Sequence, residues 1–203
     1  MNASGWDKVF ECYQQQYSKI FRFLYPAKNS TGFPERNLSV NFIKGYEKAR
    51  CLTDEEIISW YEFQFGDRNN FHVDAVLWNT TLGELYLIES KRFNNPSVKI
   101  PEIQADIERI HALAKELRSE YQTPMQRISL DSISKIYGVI LADAWSESKA
   151  KIDIIKSYNE YCFANKYLQL EDSIIPSYDV RDFDITETLQ SYKLLSMFWE
   201  IAM

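Results

Sequence analysis

Phe71-His72-Val73-Asp74-Ala75-Val76-Leu77 and, one turn later, Leu87-Ile88-Glu89-Ser90-Lys91-Arg92 are the stretches that decide how this chain is read. Phe71 to Trp78 and Glu84 to Phe93 are strand candidates, rich in β-branched and aromatic residues, and Asn79 to Gly83 is a turn between them. Side chains alternate along a strand, so His72, Asp74 and Val76 are expected on one face. On the next strand Leu85, Leu87, Glu89 and Lys91 share a face, while Tyr86, Ile88 and Ser90 take the other. Both faces are apolar before Glu89, which reads as a buried strand within a sheet. A carboxylate and a lysine at the end of such a strand are costly to desolvate unless they are paired or bind an ion. Asp74 reaches the same spot if the two strands are in register. Two readings then compete. Lys91 neutralises Asp74 or Glu89 as a structural ion pair, or the carboxylates hold a divalent metal. Mg²⁺ takes hard oxygen ligands, often one or two carboxylates with water and substrate phosphate.

Working outward, Ile58 to Phe65 is a further strand candidate and Gly66 to Asn70 a turn, which makes an antiparallel meander of three strands. Upstream, Val9, Phe10, Tyr13, Tyr17, Ile20, Phe21 and Leu24 recur at helical spacing over Trp6 to Leu24. Lys28 to Pro34 is a loop, and a second helix runs from near Glu35 to about Arg50. Thr53 and Glu56 have capping-box spacing for a short helix or turn. Downstream, Pro101 suits the first position of a helix whose buried stripe is Ile103, Ile107, Ile110, Leu113, Ala114 and Leu117. Ile133 to Ala142 reads as a strand covered on both faces. Ser146 can cap a helix to about Phe163, and Tyr192 to Met203 fits a strand or a helix. The pattern is an α/β sandwich with a mixed sheet.

The chain has 203 residues, a length suited to one domain, with 45% hydrophobic and 26% charged residues. No apolar run approaches the roughly 20 residues of a membrane-spanning helix. The N-terminus lacks a secretory pattern, and three scattered cysteines, Cys12, Cys51 and Cys162, suit a reducing cytoplasm. Two histidines are too few for a three-histidine zinc site, and no Gly-x-Gly, Gly-Lys-Ser/Thr or Gly-x-Ser-x-Gly motif occurs. What chemistry there is must rest on carboxylates and lysines. The net charge of −6 is unevenly spread. Residues 1–52 carry eight Lys/Arg against four Asp/Glu, and residues 53–90 carry one against eight. An acidic middle between basic flanks suits a cation centre with phosphate-facing walls, and equally an ordinary solvated surface.

The Asp74, Glu89-Ser90-Lys91 set on two strands resembles the PD-(D/E)xK nuclease superfamily, whose members share a restriction-endonuclease-like fold. Fourteen residues separate Asp74 from Glu89, room for two strands and a tight turn, and Val73 stands where many members carry the proline. The resemblance spans Glu35 to Ala142. It implies a three-layer α/β/α core with a central mixed sheet plus an N-terminal helix. The chain then reads as one domain over 1–203: a helical extension over 1–34, the motif-bearing core over 35–145, and a helix with a further strand or helix over 146–203.

It also implies a divalent-metal-dependent nuclease that hydrolyses DNA phosphodiester bonds in restriction, repair or defence. Asp74 and Glu89, with the Ser90 carbonyl, would bind Mg²⁺, for which Mn²⁺ can substitute. Lys91 would orient the attacking water. A helix before the meander often supplies another glutamate; Pro34-Glu35-Arg36-Asn37-Leu38 looks like its opening, so Glu35 ranks first, Glu47 second and Glu62 third. His72, Arg92, Lys99 and Gln104 are the substrate-facing candidates. A second Glu-x-Lys, Glu147-Ser148-Lys149, follows Asp143 too closely for a hairpin and is set aside. The expected partner is DNA, with RNA served by the same site; a homodimer is compatible with this reading and a membrane partner is not. The alternative is a catalytically silent module of the same fold that binds nucleic acid or a protein.

Overall fold

The computed structural model describes residues 3–24, 34–50, 57–64, 72–93, 95–117, 133–146, 177–183 and 191–201. In chain order these form α1 (Ala3–Leu24), α2 (Arg36–Arg50), β1 (Ile57–Gln64), β2 (His72–Asn79), β3 (Glu84–Arg92), α3 (Pro96–Leu117), β4 (Lys135–Ser146), β5 (Ser177–Phe183) and β6 (Ser191–Ile201). The strands make one six-stranded sheet in the order β1-β2-β3-β4-β6-β5. Only β3 and β4 run parallel; every other neighbouring pair is antiparallel. A parallel pair needs a long crossover connection, and α3 lies on it.

Helices cover both faces of the sheet. On one, the Ile103, Ile107, Ile110, Leu113 stripe of α3 packs on Leu85, Leu87, Ile136, Ile140, Leu195 and Met197. On the other, Phe10, Tyr13 and Tyr17 of α1 and Leu38, Phe42 and Tyr46 of α2 cover Ala75, Leu77, Tyr86, Ile88, Val139, Leu141 and Leu194. β3 is therefore buried from Glu84 through Ser90, as its two-sided apolar pattern requires. None of the described helices is long and apolar enough to cross a membrane.

The structure moves two boundaries of the sequence reading and decides a third element that the reading left open. The helix α3 opens at Pro96, not Pro101: the Asn95 carbonyl accepts from Val98 N–H (3.1 Å) and Lys99 N–H (3.0 Å), and Pro96 takes the first helical position, where a missing N–H costs nothing. The rule holds, but for the earlier proline. The strand β4 runs past Ala142 through Ser146, which pairs with Ser191. Tyr192 onward is a strand, since it fills the place beside β4, and β5 was not anticipated. The short element at Thr53 and Glu56, the helix expected after Ser146, and Glu147 and Lys149 lie outside the described residues.

Gly45 sets how closely α1 and α2 approach. A Cβ placed there would lie 2.6 Å from Tyr13 N and 2.7 Å from Tyr13 Cα, both backbone atoms that cannot swing aside. Alanine favours a helix over glycine by roughly 0.5–1 kcal/mol, so propensity alone predicts that Gly45→Ala stabilises. Steric overlap should win, with a net loss of about 1–3 kcal/mol in denaturant titration.

Candidate functional site

The site forms where β2 and β3 part. Their pairing runs from Asn79↔Glu84 to Ala75↔Ile88, which brings Asp74 level with Glu89. Past Ile88, β3 keeps β4 on its other side as far as Arg92↔Asp143. Two N–H groups on the edge that β2 leaves are taken by carboxylates. Ser90 N–H donates to Asp74 Oδ2 at 2.7 Å, and Arg92 N–H donates to Glu35 Oε1 at 2.7 Å. A residue's N–H and C=O leave a strand toward the same neighbour, so the Ser90 carbonyl faces the edge on which Asp74 lies.

Asp74 can turn to β3 because strand alternation slips at this point. Val73 and Val76 both join the core beneath α3, whereas Ala75 and Leu77 join the core beneath α1 and α2. The expectation that His72, Asp74 and Val76 share a face is therefore corrected. On β1 the same slip separates Tyr61 from Phe63, which pack against opposite cores. Between them Glu62 has φ 52°, a left-handed backbone that costs a non-glycine residue on the order of 1–2 kcal/mol. Glu62 thus stands opposite Asp74, in a matched irregularity of both strands.

Glu89 and Lys91 leave β3 toward α3. Glu89 is 2% exposed; its Oε1 accepts from Arg109 Nη2 at 2.8 Å and from Arg109 Nε at 3.2 Å. Lys91 Nζ lies 3.0 Å from Asp106 Oδ2 and 4.0 Å from Glu89 Oε2. Asp106 Oδ1 also meets the Arg109 guanidinium. Burial and, next, the charges of Asp74 and Asp106 push the Glu89 carboxyl up to about 8 against the pull of Arg109 and Lys91. Burial likewise raises Asp74, opposed by the Ser90 N–H and Lys91. For Lys91, burial disfavours the ammonium, but Asp106, Glu89 and Asp74 outweigh it and hold its pKa above the ordinary lysine value.

Of the expected site residues, the fold brings Asp74, Glu89, Ser90, Lys91 and Glu35 to one strand end. Arg92 and Lys99 join Pro34 and Glu35 around an open cleft of about 290 Å³. Lys99 is also held by Glu102 at 2.6 Å. His72 pairs with Glu62, at 3.2 Å. Gln104 is turned along its own helix to Glu108 (3.2 Å), and Glu47 acts electrostatically on Tyr61 of β1. Asp106 and Arg109 were missed. The signal was present, because Asp106 falls three residues after Ile103 and four before Ile110, on the buried stripe of α3. A carboxylate in that position requires a cation.

Two carboxylates and a strand carbonyl are the kind of oxygen donors that a hard divalent ion takes. Among the described residues no group of three or more Asp, Glu, His or Cys side chains is placed to hold a metal ion. Comparison with protein-family models, with curated proteins and with solved structures finds no match in any of the three.

Asp143 closes the same end of the sheet beneath α1 and α2. Tyr192 O–H donates to its Oδ2 at 2.8 Å, yet burial pushes the carboxyl up to about 6, opposed by that bond and by Arg92. The folded chain then binds this proton more tightly than the unfolded chain. Its contribution is full below about pH 4 and is lost as pH rises to about 6, a decline of up to about 3 kcal/mol. Asp143→Asn keeps the acceptor for Tyr192 and should flatten that part of the stability profile, read by denaturation at a series of pH values.

Proposed function

We propose that the chain has a restriction-endonuclease-like fold and acts as a divalent-metal-dependent nuclease on DNA phosphodiesters. The supporting observation is the convergence of Asp74 and Glu89, with Lys91, where β2 and β3 separate. The α/β/α layering around a mixed sheet agrees with this, as does Glu35 at the opening of α2, on the edge next to Asp74.

Asp74, Glu89 and the Ser90 carbonyl are the residues that would hold Mg²⁺, and Mn²⁺ by the same chemistry. When bound, the ion supplies Lewis-acid polarisation of the scissile phosphate and a water of lowered pKa. The protein's own groups do the rest. Lys91, fixed by Asp106, presents an ammonium that orients the water and offsets the charge developing on phosphorus oxygens in the transition state. Arg92 and Lys99, at the cleft with Glu35, place cations where a neighbouring phosphate of the strand would run.

A second reading has its own observation. Lys91 and Glu89 are both engaged by α3, through Asp106 and Arg109, as they would be in a silent module that binds nucleic acid or protein. Lys91→Ala separates the two. A purely structural pair should lose roughly 3–5 kcal/mol of stability when one partner is removed. A catalytic lysine should instead leave a folded protein that still binds Mn²⁺ and nicks plasmid DNA at least about a hundredfold more slowly, equivalent to ~2.7 kcal/mol of barrier. Wild-type protein that cuts no duplex, branched or single-stranded DNA or RNA in Mn²⁺ would remove the nuclease reading.

Metal binding can be read without turnover. Mg²⁺ or Mn²⁺ should raise the melting temperature, because the ion binds only the folded state, and Asp74→Asn should lose most of that rise. A full rise in the variant would put the metal elsewhere.

A further inference from the structure

Four charged side chains lie between β3 and α3, and their exposure divides them by sign. The Glu89 and Asp106 side chains are 2% and 4% exposed, held by the strand and the helix that bury them. Lys91 and Arg109 retain 16% and 32%. The acids are enclosed; the arginine is partly exposed to solvent. Arg109 holds Glu89 Oε1 through two N–H groups and rests on Asp106 one turn earlier in its own helix.

Charge gives this arrangement a consequence. Arg109 is one of two cations, with Lys91, set among Asp74, Glu89 and Asp106, and it occupies Oε1, one of the two oxygens Glu89 could offer a metal. A guanidinium and a divalent ion on one carboxylate repel each other at a few ångströms, where little water intervenes to screen them. Without Arg109 the acids lose a counter-charge, which a divalent ion would supply in its place.

We propose that Arg109 is a built-in counter-cation of the metal site. It neutralises Glu89 while no metal is present and yields that carboxylate when a divalent ion enters, remaining tethered by Asp106. Arg109 is thus a positioning residue that sets metal affinity and keeps Glu89 aimed while the site waits. This rests on the reading of Asp74 and Glu89 as metal ligands.

The test uses the full chain with Mn²⁺ or Mg²⁺ alone. Arg109→Leu removes the charge, and Arg109→Gln removes it while keeping a hydrogen-bond donor for Glu89. Both variants lack that repulsion, so calorimetry should show either one binding Mn²⁺ roughly tenfold or more tightly than wild type. In EDTA both should melt at lower temperature, and Mn²⁺ should raise their melting temperature by more than it raises that of wild type. Folding of the variants is not essential. In wild-type protein, Mg²⁺ titration should move the Arg109 Nε–H resonance with the same midpoint as calorimetry.

Unchanged or weaker Mn²⁺ binding in a folded variant, or an Arg109 resonance that ignores Mg²⁺ while the wild type binds it, would overturn the counter-cation role and leave the metal site standing. Absence of binding in wild type and both variants would remove the metal site and this inference together. Binding by the variants but not by wild type would support it, with Arg109 as a complete block.

Discussion

The separation of β2 from β3 after Ala75↔Ile88 is the constraint on which the site depends. A strand in the middle of a sheet cannot leave its N–H groups unsatisfied, because each buried, unpaired donor costs roughly 1–3 kcal/mol. Ser90 and Arg92 would face that cost. Asp74 and Glu35 meet it with side-chain oxygens, so two carboxylates are drawn to the strand edge by the requirements of backbone hydrogen bonding. Structural need and the gathering of acids coincide here.

That gathering creates a second need. Asp74 and Glu89 are both raised by burial, and Glu89 is further raised by Asp74 and Asp106, so the acids repel as well as lose water. The α3 helix answers from the opposite side with Arg109, while its Asp106 balances Lys91. Buried ion pairs bring little net stability, since desolvation offsets most of the Coulomb attraction. Their physical effect is on position: each acid and each cation of the group is held at a fixed place relative to the open cleft beside Glu35, Arg92 and Lys99.

The backbone contributes as well. Glu62 in a left-handed conformation reverses the facing of β1 opposite Asp74, and Val73 and Ala75 follow on β2. The irregularity moves Asp74 sideways, toward Ser90 N–H. Irregular backbone of this kind is often concentrated at functional positions, and the matched slip in two strands places it next to the proposed metal ligands.

Local sequence determined most of the elements. The 3.6-residue stripes of α1, α2 and α3 and the β-branched, aromatic and apolar runs of β1 to β4 are set by short-range sequence, and Asp74, Glu89 and Lys91 could be picked out because charge ends otherwise apolar strands. Glu35 was singled out through the family resemblance of Pro34 to Leu38, not through any local pattern of its own. Tertiary structure alone decided who meets whom. Asp106 and Arg109 reach Glu89 and Lys91 only because the β3–β4 crossover lays α3 over that strand end, a contact across 20 residues between Arg109 and Glu89 that no local pattern encodes. The sideways turn of Asp74 likewise depends on a φ angle in a neighbouring strand. Ser191 onward became a strand, not a helix, because β4 offered an unpaired edge, and the free energy of filling it belongs to the sheet rather than to the segment.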